Sequence, residues 1–247
     1  MKSLSVVVPA LNEEAGLGST LDETLRVLGE GAVTDFEILI FNDGSTDRTG
    51  EIAERYARLY REIRVFHNST PQGMGSSYRR GIELASKEYY VLIHGDYETD
   101  STFLKEIIPH EGSSRYYVTH VLDDRRPLFR RILSRSFTLL VNTLFGLHFK
   151  YYNGPNVIPL AFLKGLPVAS EGHAYMAETI VRLHQRGYTR YKEIGYYARR
   201  RLGGKNKAFA LRNILSVVRA IIELKLTSKR GRHSEPHTLP QEKKAMT

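Results

Sequence analysis

The chain has 247 residues, 41% of them hydrophobic and 26% charged, which is typical of a soluble globular protein with a substantial core. It contains no Cys, and this excludes disulfides, thiolate metal sites and Cys nucleophiles. The net charge of +9 is uneven, since residues 1–100 hold 10 Lys and Arg against 17 Asp and Glu, whereas residues 101–247 hold 26 against 10. The basic second half indicates an anionic partner such as a phosphate or a lipid headgroup. Nucleic acid is not expected, because no helix-turn-helix, zinc-finger or RNP-type pattern occurs.

The first hundred residues alternate between strand-like and helix-like segments. Strands are predicted at 4–10, 35–43, 61–68 and 89–96, and helices at 14–30, 45–60 and 73–87. The first of these helices carries leucines at helical spacing, at Leu17, Leu21, Leu25 and Leu28. Strands and helices that alternate in this way form βαβ units, so the sequence predicts an α/β fold with a mostly parallel sheet flanked by helices.

The second half is less regular. It contains strand-like segments at 115–122 and 188–198, and helical segments at 127–149, 173–186 and 208–226. The segment 227–247 is polar and lacks periodicity, which predicts a disordered tail. We therefore expect a single domain over residues 1–226.

Two C-terminal helices, 127–149 and 208–226, are amphipathic, combining apolar runs with Arg and Lys. No window reaches the roughly 20 apolar residues that span a bilayer. A core helix and a segment that lies on a membrane, with its Arg side chains at headgroup level, both explain this composition. The N-terminus has only a short apolar run before Pro9 and lacks a cleavage site, which predicts a cytoplasmic protein.

Polar residues follow all four strands of the first half. These clusters occupy residues 9–13, 42–45, 67–68 and 94–96. Ligands of parallel α/β sheets bind beyond the carboxyl ends of the strands. Four clusters at the same edge of one sheet indicate a single binding site.

Seven segments carry a resemblance to a known family. They are VVVPALNEE (6–14), FNDGSTDRT (41–49), GMGSSYRRGIELA (73–85), VLIHGDYETD (91–100), PLFRRILSR (127–135), NGPNV (153–157) and RRLGGKNKAF (200–209). In this order they resemble the family-2 glycosyltransferases of GT-A fold, and among them the polyprenyl-phosphate (dolichyl-phosphate) mannosyl- and glucosyltransferases. The resemblance implies a GT-A, Rossmann-like fold, with residues 1–100 as the nucleotide-binding half and residues 101–226 as the acceptor half.

The resemblance also implies which residues bind the nucleotide sugar. They are Pro9, Leu11, Asn12, Glu13, Asp43, His94, Gly95 and Asp96. Glu13 matches the acid that approaches the ribose and base, and Asp43 matches the one that hydrogen-bonds the base. The chain departs from the family pattern at Leu11, where relatives carry Tyr, and at Asn42, where they carry an acid.

A divalent cation, Mg²⁺ or Mn²⁺, is implied by VLIHGDYETD. The family has an Asp-x-Asp pair at this strand end, which holds the ion that binds the donor's diphosphate. Here His94 takes the place of the first aspartate, Asp96 takes that of the second, and Glu98 follows two residues later. The implied metal ligands are Asp96 and Glu98, while His94 either ligates the ion or hydrogen-bonds a phosphate.

The basic residues of the second half match phosphate-binding positions of the family. Arg115, Arg130 and Ser134 match positions around the acceptor phosphate. Arg201 and Lys207 bracket a Gly-rich segment that would close over the diphosphate. The implied catalytic residues are Asp96, Arg130, Arg201 and Lys207.

The resulting hypothesis is an inverting glycosyltransferase at the cytoplasmic membrane face. It would move a hexose from GDP-mannose or UDP-glucose to a polyprenyl phosphate, which is already an anionic nucleophile. One alternative is transfer to a hydroxyl of a polysaccharide, lipid or small metabolite, which needs a base such as Asp100 or Glu178. The other alternative is a non-catalytic scaffold that binds a nucleotide sugar.

Overall fold

The computed structural model describes residues 3–107, 116–123, 126–170, 172, 174–202 and 211–230. Its strands are β1 (Ser3–Ala10), β2 (Asp35–Asn42), β3 (Ile63–His67), β4 (Tyr89–Leu92), β5 (Tyr116–Val121), β6 (Ile158–Pro159) and β7 (Tyr191–Tyr196). Its helices are α1 (Leu17–Val27), α2 (Thr49–Leu59), α3 (Met74–Leu84), α4 (Leu104–Ile107), α5 (Leu128–Phe145), α6 (Leu160–Leu163), α7 (Tyr175–Gln185) and α8 (Leu211–Arg230).

The main sheet has five strands in the order β3-β2-β1-β4-β6. The first four strands are parallel and β6 pairs with β4 in the antiparallel direction, so the predicted mostly parallel sheet is confirmed. A second, two-stranded parallel sheet joins β5 to β7. From β3 at one edge of the sheet the chain returns to β4, on the other side of β1. Because β1 and β4 are parallel neighbours, their carboxyl ends lie at the same edge of the sheet.

Both faces of the main sheet are buried, which explains the near-continuous apolar runs of its strands. In β2, Ile38 and Ile40 pack on the face covered by α1 and α2, whereas Leu39 and Phe41 pack on the face covered by α3 and α7. This alternation follows from the two-residue period of a strand. The core therefore holds the strand ends rigidly and leaves the following loops to carry polar groups.

The element boundaries differ from the sequence-based expectation in a few places. The structure adds α4, β6 and α6, which are too short for a periodic pattern to reveal. Helix α8 continues to Arg230, into the segment predicted as a tail, and residues 231–247 lie outside the described residues. Among the described helices, none has the length and apolarity needed to cross a bilayer.

Candidate active site

The loops that follow β1 and β2 are joined by Asn12. This residue has a left-handed backbone (φ +56°), and its Oδ1 accepts a hydrogen bond from the Thr46 N–H at 2.8 Å. The Asn12 N–H donates in turn to Ser45 Oγ at 3.0 Å. Next to it, the Glu13 N–H donates to Thr49 Oγ1 at 2.7 Å. Asn12, which the resemblance predicted to bind the nucleotide sugar, is exposed, and its hydrogen bonds connect these two loops.

Asp43 organises the loop that leads into α3. Its Oδ1 accepts hydrogen bonds from Asn68 Nδ2 and the Gln72 N–H, both at 2.8 Å, and its Oδ2 accepts one from the Gly73 N–H at 2.9 Å. Gly73 has φ +86°, a conformation that glycine adopts without strain. The buried carboxylate thereby fixes the entry to α3 against the end of β2.

A carboxylate–guanidinium–carboxylate arrangement lies beyond β1 and β4. Arg201 Nη2 donates to Glu13 Oε1, and Arg201 Nη1 lies 3.7 Å from Asp96 Oδ2. Glu13 Oε2 is buried and has no hydrogen-bond partner among the described residues. Burial raises the pKa of Glu13 to about 7; Arg201 opposes this rise and the Asp96 carboxylate adds to it.

Asp96 is linked through Glu98 to α5. The Glu98 N–H donates to Asp96 Oδ1 at 3.0 Å, and both Glu98 oxygens face the Arg130 guanidinium at 3.4 and 3.5 Å. Arg130, which the sequence placed at the acceptor phosphate, is therefore ion-paired with one of the predicted metal ligands. Within the described residues, no three His, Asp or Glu side chains are grouped closely enough to hold a metal ion.

Arg199 braces the turn that carries Asp96. Its guanidinium donates two hydrogen bonds to Glu23 at 2.5 and 2.6 Å and lies 2.8 Å from Asp100 Oδ2. It also lies 4.7 Å from the ring centre of Tyr97, whose φ of +62° is rare for a bulky residue. Arg199 thereby connects α1 and the loop after β4 to the segment that follows β7, two residues before Arg201.

These groups open into a cavity of about 640 Å³. One end is charged, with Glu13, Asp96, Glu98, Arg130 and Arg201 in its wall. The walls contributed by α5 and α8 are mostly apolar, with Leu133, Phe137, Leu140, Val217 and Val218. A single space therefore joins a charged centre to an apolar compartment.

Most of the predicted site residues lie in this cavity wall. They are Pro9, Leu11, Glu13, Asp43, His94, Asp96, Glu98, Arg130, Ser134 and Arg201. Asn12 is not among the lining residues, and neither is Gly95, which packs against Ala10 and Leu17, where a Cβ would lie 3.2 and 3.3 Å from their side chains. Arg115 and Lys207 lie outside the described residues.

The cavity also contains residues that sequence reasoning missed. Arg126 lies just before α5, and its Nη1 donates to the Tyr151 hydroxyl at 3.2 Å. Ser77 on α3 and Tyr175 on α7 also line the cavity. Among these residues, only Arg126 could have been identified from sequence spacing. It lies four residues before Arg130, and Arg130 lies four residues before Ser134. The other residues enter through long-range packing.

Neither residue nominated as a base lines the cavity. Asp100 Oδ1 accepts hydrogen bonds from the Thr102 N–H and hydroxyl, which caps a short helical turn. Glu178 accepts from the backbone at 169–170 and from Arg182 Nε. Burial acts to raise the pKa of Glu178, but these hydrogen bonds outweigh it and leave the pKa below its usual value. Both carboxylates thus stabilise local structure.

The chain is similar to known proteins in sequence and in structure. Over 145 residues, the chain is 32% identical to glycosyltransferase AglD of Haloferax volcanii, covering 56% of this chain and 23% of that protein. Over 159 residues, it is 30% identical to a dolichyl-phosphate beta-glucosyltransferase of Dictyostelium discoideum, covering 57% of this chain and 49% of that protein. The chain thus spans half or less of these two relatives.

The structure is similar to glucosyl-3-phosphoglycerate synthase of Mycobacterium tuberculosis, solved with Mn²⁺, UDP and glucosyl-3-phosphoglycerate. The TM-score is 0.67 at 21% identity, covering 92% of this chain and 80% of that one, and this likeness shows the shared GT-A fold. The model of the family described as Glycosyl transferase family 2 matches residues 5–163, more than half of the chain. The chain therefore has the GT-A fold and belongs to glycosyl transferase family 2.

Proposed function

We propose that the protein transfers a hexose, with inversion, from a nucleotide-sugar donor (GDP-mannose or UDP-glucose) to a polyprenyl phosphate. One observation carries this proposal: the cavity joins a charged centre to apolar walls on α5 and α8. A nucleotide sugar and a small soluble acceptor need polar partners throughout, whereas a lipid phosphate needs a charged end and an apolar end. The similarity to a dolichyl-phosphate beta-glucosyltransferase supports the same class of acceptor.

Helix α5 offers a path for such an acceptor. Its cavity-facing side begins with Arg130 and Ser134 and continues with Leu133, Phe137 and Leu140. We assign the acceptor phosphate to Arg130 and Ser134, together with Arg126 just before the helix. The first isoprene units would lie along the apolar turns, since burying that surface is favourable by about 25 cal/mol per Å².

The donor's diphosphate is assigned to the end near Asp96. The carboxylates there suit Mg²⁺ or Mn²⁺, which prefer oxygen ligands. Burial is the main cause of the raised Glu13 pKa and the Asp96 carboxylate adds to it, while Glu13 Oε2 has no hydrogen-bond partner among the described residues; a cation bound here would interact favourably with both carboxylates. Asp96 and Glu98 would hold the ion, with the diphosphate oxygens completing its coordination, and His94 would contact the ion or a phosphate. When bound, the ion neutralises charge on the departing nucleoside diphosphate.

The reaction then needs positioning more than proton transfer. An oxygen of the acceptor phosphate attacks the anomeric carbon, a new C–O bond forms, and the bond to the diphosphate breaks with its electron pair leaving on the nucleoside diphosphate. Attack from the opposite face inverts the carbon. Arg130 holds the nucleophile, and Arg201, with Lys207 from outside the described residues, stabilises the leaving group. No base is required, which agrees with the structural roles of Asp100 and Glu178.

Contact with the cytoplasmic membrane face is part of the proposal. The outer side of α5 exposes Leu128, Phe129, Ile132 and Leu139, each between 56% and 67% accessible. Arg135 is exposed on the same side of this helix. Apolar side chains beside Arg favour an anionic lipid surface, from which a polyprenyl phosphate would enter the cavity.

The test is an assay with labelled GDP-mannose, UDP-glucose and UDP-N-acetylglucosamine, with or without a short polyprenyl phosphate and Mn²⁺ or Mg²⁺. Lipid-linked product from one donor is the expected result. Product only with sugar or metabolite hydroxyls would instead support the hydroxyl-acceptor alternative. Donor binding without any product would support a non-catalytic scaffold.

A further inference from the structure

The start of α1 contacts the backbone that carries Asp96. Gly16 lies so close to it that a Cβ added there would be 2.8 Å from the Asp96 carbonyl carbon and 3.0 Å from its oxygen. Four residues later, Thr20 Oγ1 accepts a hydrogen bond from the Tyr97 N–H at 3.0 Å. Residues four apart lie on the same side of a helix, so one side of α1 makes both contacts.

Tyr97 has a backbone conformation that bulky residues rarely adopt. Its φ of +62° lies in the left-handed region, where a side chain with a Cβ is disfavoured. Such a conformation persists only where the surrounding structure holds it, and it is most common at functional sites. Here the Thr20 hydroxyl binds the Tyr97 N–H, and the Arg199 guanidinium lies 4.7 Å from the centre of the ring.

The turn at Tyr97 lies between the two proposed metal ligands. The Glu98 N–H donates back to Asp96 Oδ1 at 3.0 Å, which closes a turn over residues 96–98. Asp96 is 9% exposed, and its other carboxylate oxygen, Oδ2, lies 3.7 Å from Arg201 Nη1. A shift of the Tyr97 backbone would move both carboxylates, because each belongs to a residue next to it in the chain.

We infer that Thr20 and Gly16 are positioning residues, which fix the turn that presents Asp96 and Glu98 to the cation and the donor's diphosphate. Neither residue is among those that line the cavity, so they act through the backbone of the turn. This inference rests on the proposed function, because it takes Asp96 and Glu98 to hold the ion.

The test is calorimetric titration of the full chain with Mn²⁺ in the presence of excess UDP, repeated with excess GDP. Thr20→Val has nearly the shape of the wild-type residue but leaves the Tyr97 N–H without its acceptor. We expect it to weaken Mn²⁺ binding about tenfold. Thr20→Ser keeps the oxygen and should restore the wild-type affinity. Wild-type affinity in Thr20→Val would overturn the role of Thr20.

Thr24→Val is the matched control. Thr24 lies one turn after Thr20 on α1 and is also buried, but its Oγ1 lies 3.1 Å from Ser101 Oγ, outside the turn. Each variant loses one buried hydrogen bond, so both should unfold at similarly lower temperatures than the wild type. Only Thr20→Val should alter Mn²⁺ binding. Equal weakening in both variants would show a general loss of stability and overturn the inference.

Gly16→Ala tests the other contact, and it serves also if Thr20→Val does not fold. The added Cβ overlaps the Asp96 backbone, which has to shift, so Mn²⁺ binding should weaken by about three- to tenfold. Gly18→Ala adds the same methyl group to α1 at an ordinary contact distance, 3.6 Å from the Tyr56 hydroxyl, and should keep the wild-type affinity. Equal affinities in these two variants would overturn the role of Gly16.

Failure of the proposed function gives a different result from failure of this inference. Absence of Mn²⁺-dependent binding of either nucleotide to the wild-type chain would overturn the proposed metal and diphosphate site, and the positioning roles with it. Mn²⁺ binding of the same affinity in wild type, Thr20→Val and Gly16→Ala would overturn the positioning roles alone.

Discussion

The two halves of the protein contribute to the cavity by different means. In residues 3–98, side chains such as Asn12 and Asp43 hydrogen-bond to the backbone of neighbouring loops, and the strands that precede them, β1 and β2, are buried except at their first residues. In residues 116–230, the cavity is lined by faces of long helices, and α5 buries only Thr138 and Val141 of its 18 residues. The first half holds polar groups in place, and the second half presents a mostly apolar wall on helices that are only partly buried.

The difference indicates that the two halves bind different parts of the substrates. A nucleotide diphosphate needs donors and acceptors at fixed positions, because each buried polar group left without a partner costs free energy. A polyprenyl chain needs apolar area and tolerates variation in shape, since the hydrophobic effect is not directional. The following variants test whether the two halves differ in this way, in order of decreasing expected effect.

Asp96→Ala tests the charged end of the cavity. Because the change removes the central carboxylate of the proposed diphosphate site, turnover is expected to fall about 100-fold or more. The measurement is transfer from a labelled donor at saturating acceptor and metal. Asp35→Ala removes an exposed carboxylate that pairs with Lys87 and serves as the control. Similar turnover in the two variants would contradict the assignment of Asp96.

Glu13 is expected to make the stability of the first half depend on pH. Its pKa is about 7 in the folded protein against a usual 4.5, so the native state binds more protons than the unfolded chain between these values. The free energy of unfolding therefore falls as the pH rises through this window, by up to about 3 kcal/mol from this group. Urea unfolding in EDTA at pH 5 and pH 8 measures this decrease in the free energy of unfolding, and Glu13→Gln is expected to abolish it. The same decrease between pH 5 and pH 8 in wild type and in Glu13→Gln would refute the prediction.

Arg199→Ala tests the brace between the two halves. The guanidinium is 28% exposed and holds Glu23 and Asp100, so its loss is expected to cost about 2 kcal/mol of unfolding free energy. Turnover should fall as well, because Arg201 follows two residues later. Arg200→Ala removes the exposed neighbour and should leave both thermal unfolding and turnover close to wild type.

Leu140→Gln tests the apolar wall. We expect the KM for a polyprenyl phosphate to rise about tenfold, because the change removes apolar surface beside the acceptor, while nucleotide binding stays as in wild type. Leu139→Gln alters the adjacent side chain, which is 67% exposed and points away from the cavity wall. It should weaken binding to anionic vesicles instead. Equal KM values for the two variants would argue against a lipid path along α5.

Much of the first half could be predicted from the sequence. The alternation of apolar runs revealed β1 to β4 and α1 to α3, and the polar clusters at the strand ends revealed the edge at which the cavity lies. These signals are local, because strand and helix periodicity is determined by residues that are close together in the sequence. The same reasoning was less complete after residue 100, where it missed Arg126 and the short α4, β6 and α6.

The resemblance to the family located candidate site residues, but it did not predict which partners their side chains contact. Arg130 was expected at a phosphate and is paired with Glu98, and Asn12 was expected at the nucleotide and holds Thr46. Such pairings depend on what lies across the loop, and motif order carries no information about it. The predicted roles of these residues stay predictions, and the pairings define what a ligand would have to displace.

The sequence by itself determined the α/β architecture, the edge of the sheet that carries the site, and ten of the residues in the cavity wall. Only the tertiary structure decided how those residues are engaged. Arg201 meets Glu13 across 188 positions of the chain, and Asp43 accepts three hydrogen bonds from the loop that leads into α3. The physical reason is that periodicity and turn chemistry act over a few residues. The hydrogen-bonding capacity left on a buried group depends on neighbours that only folding brings together.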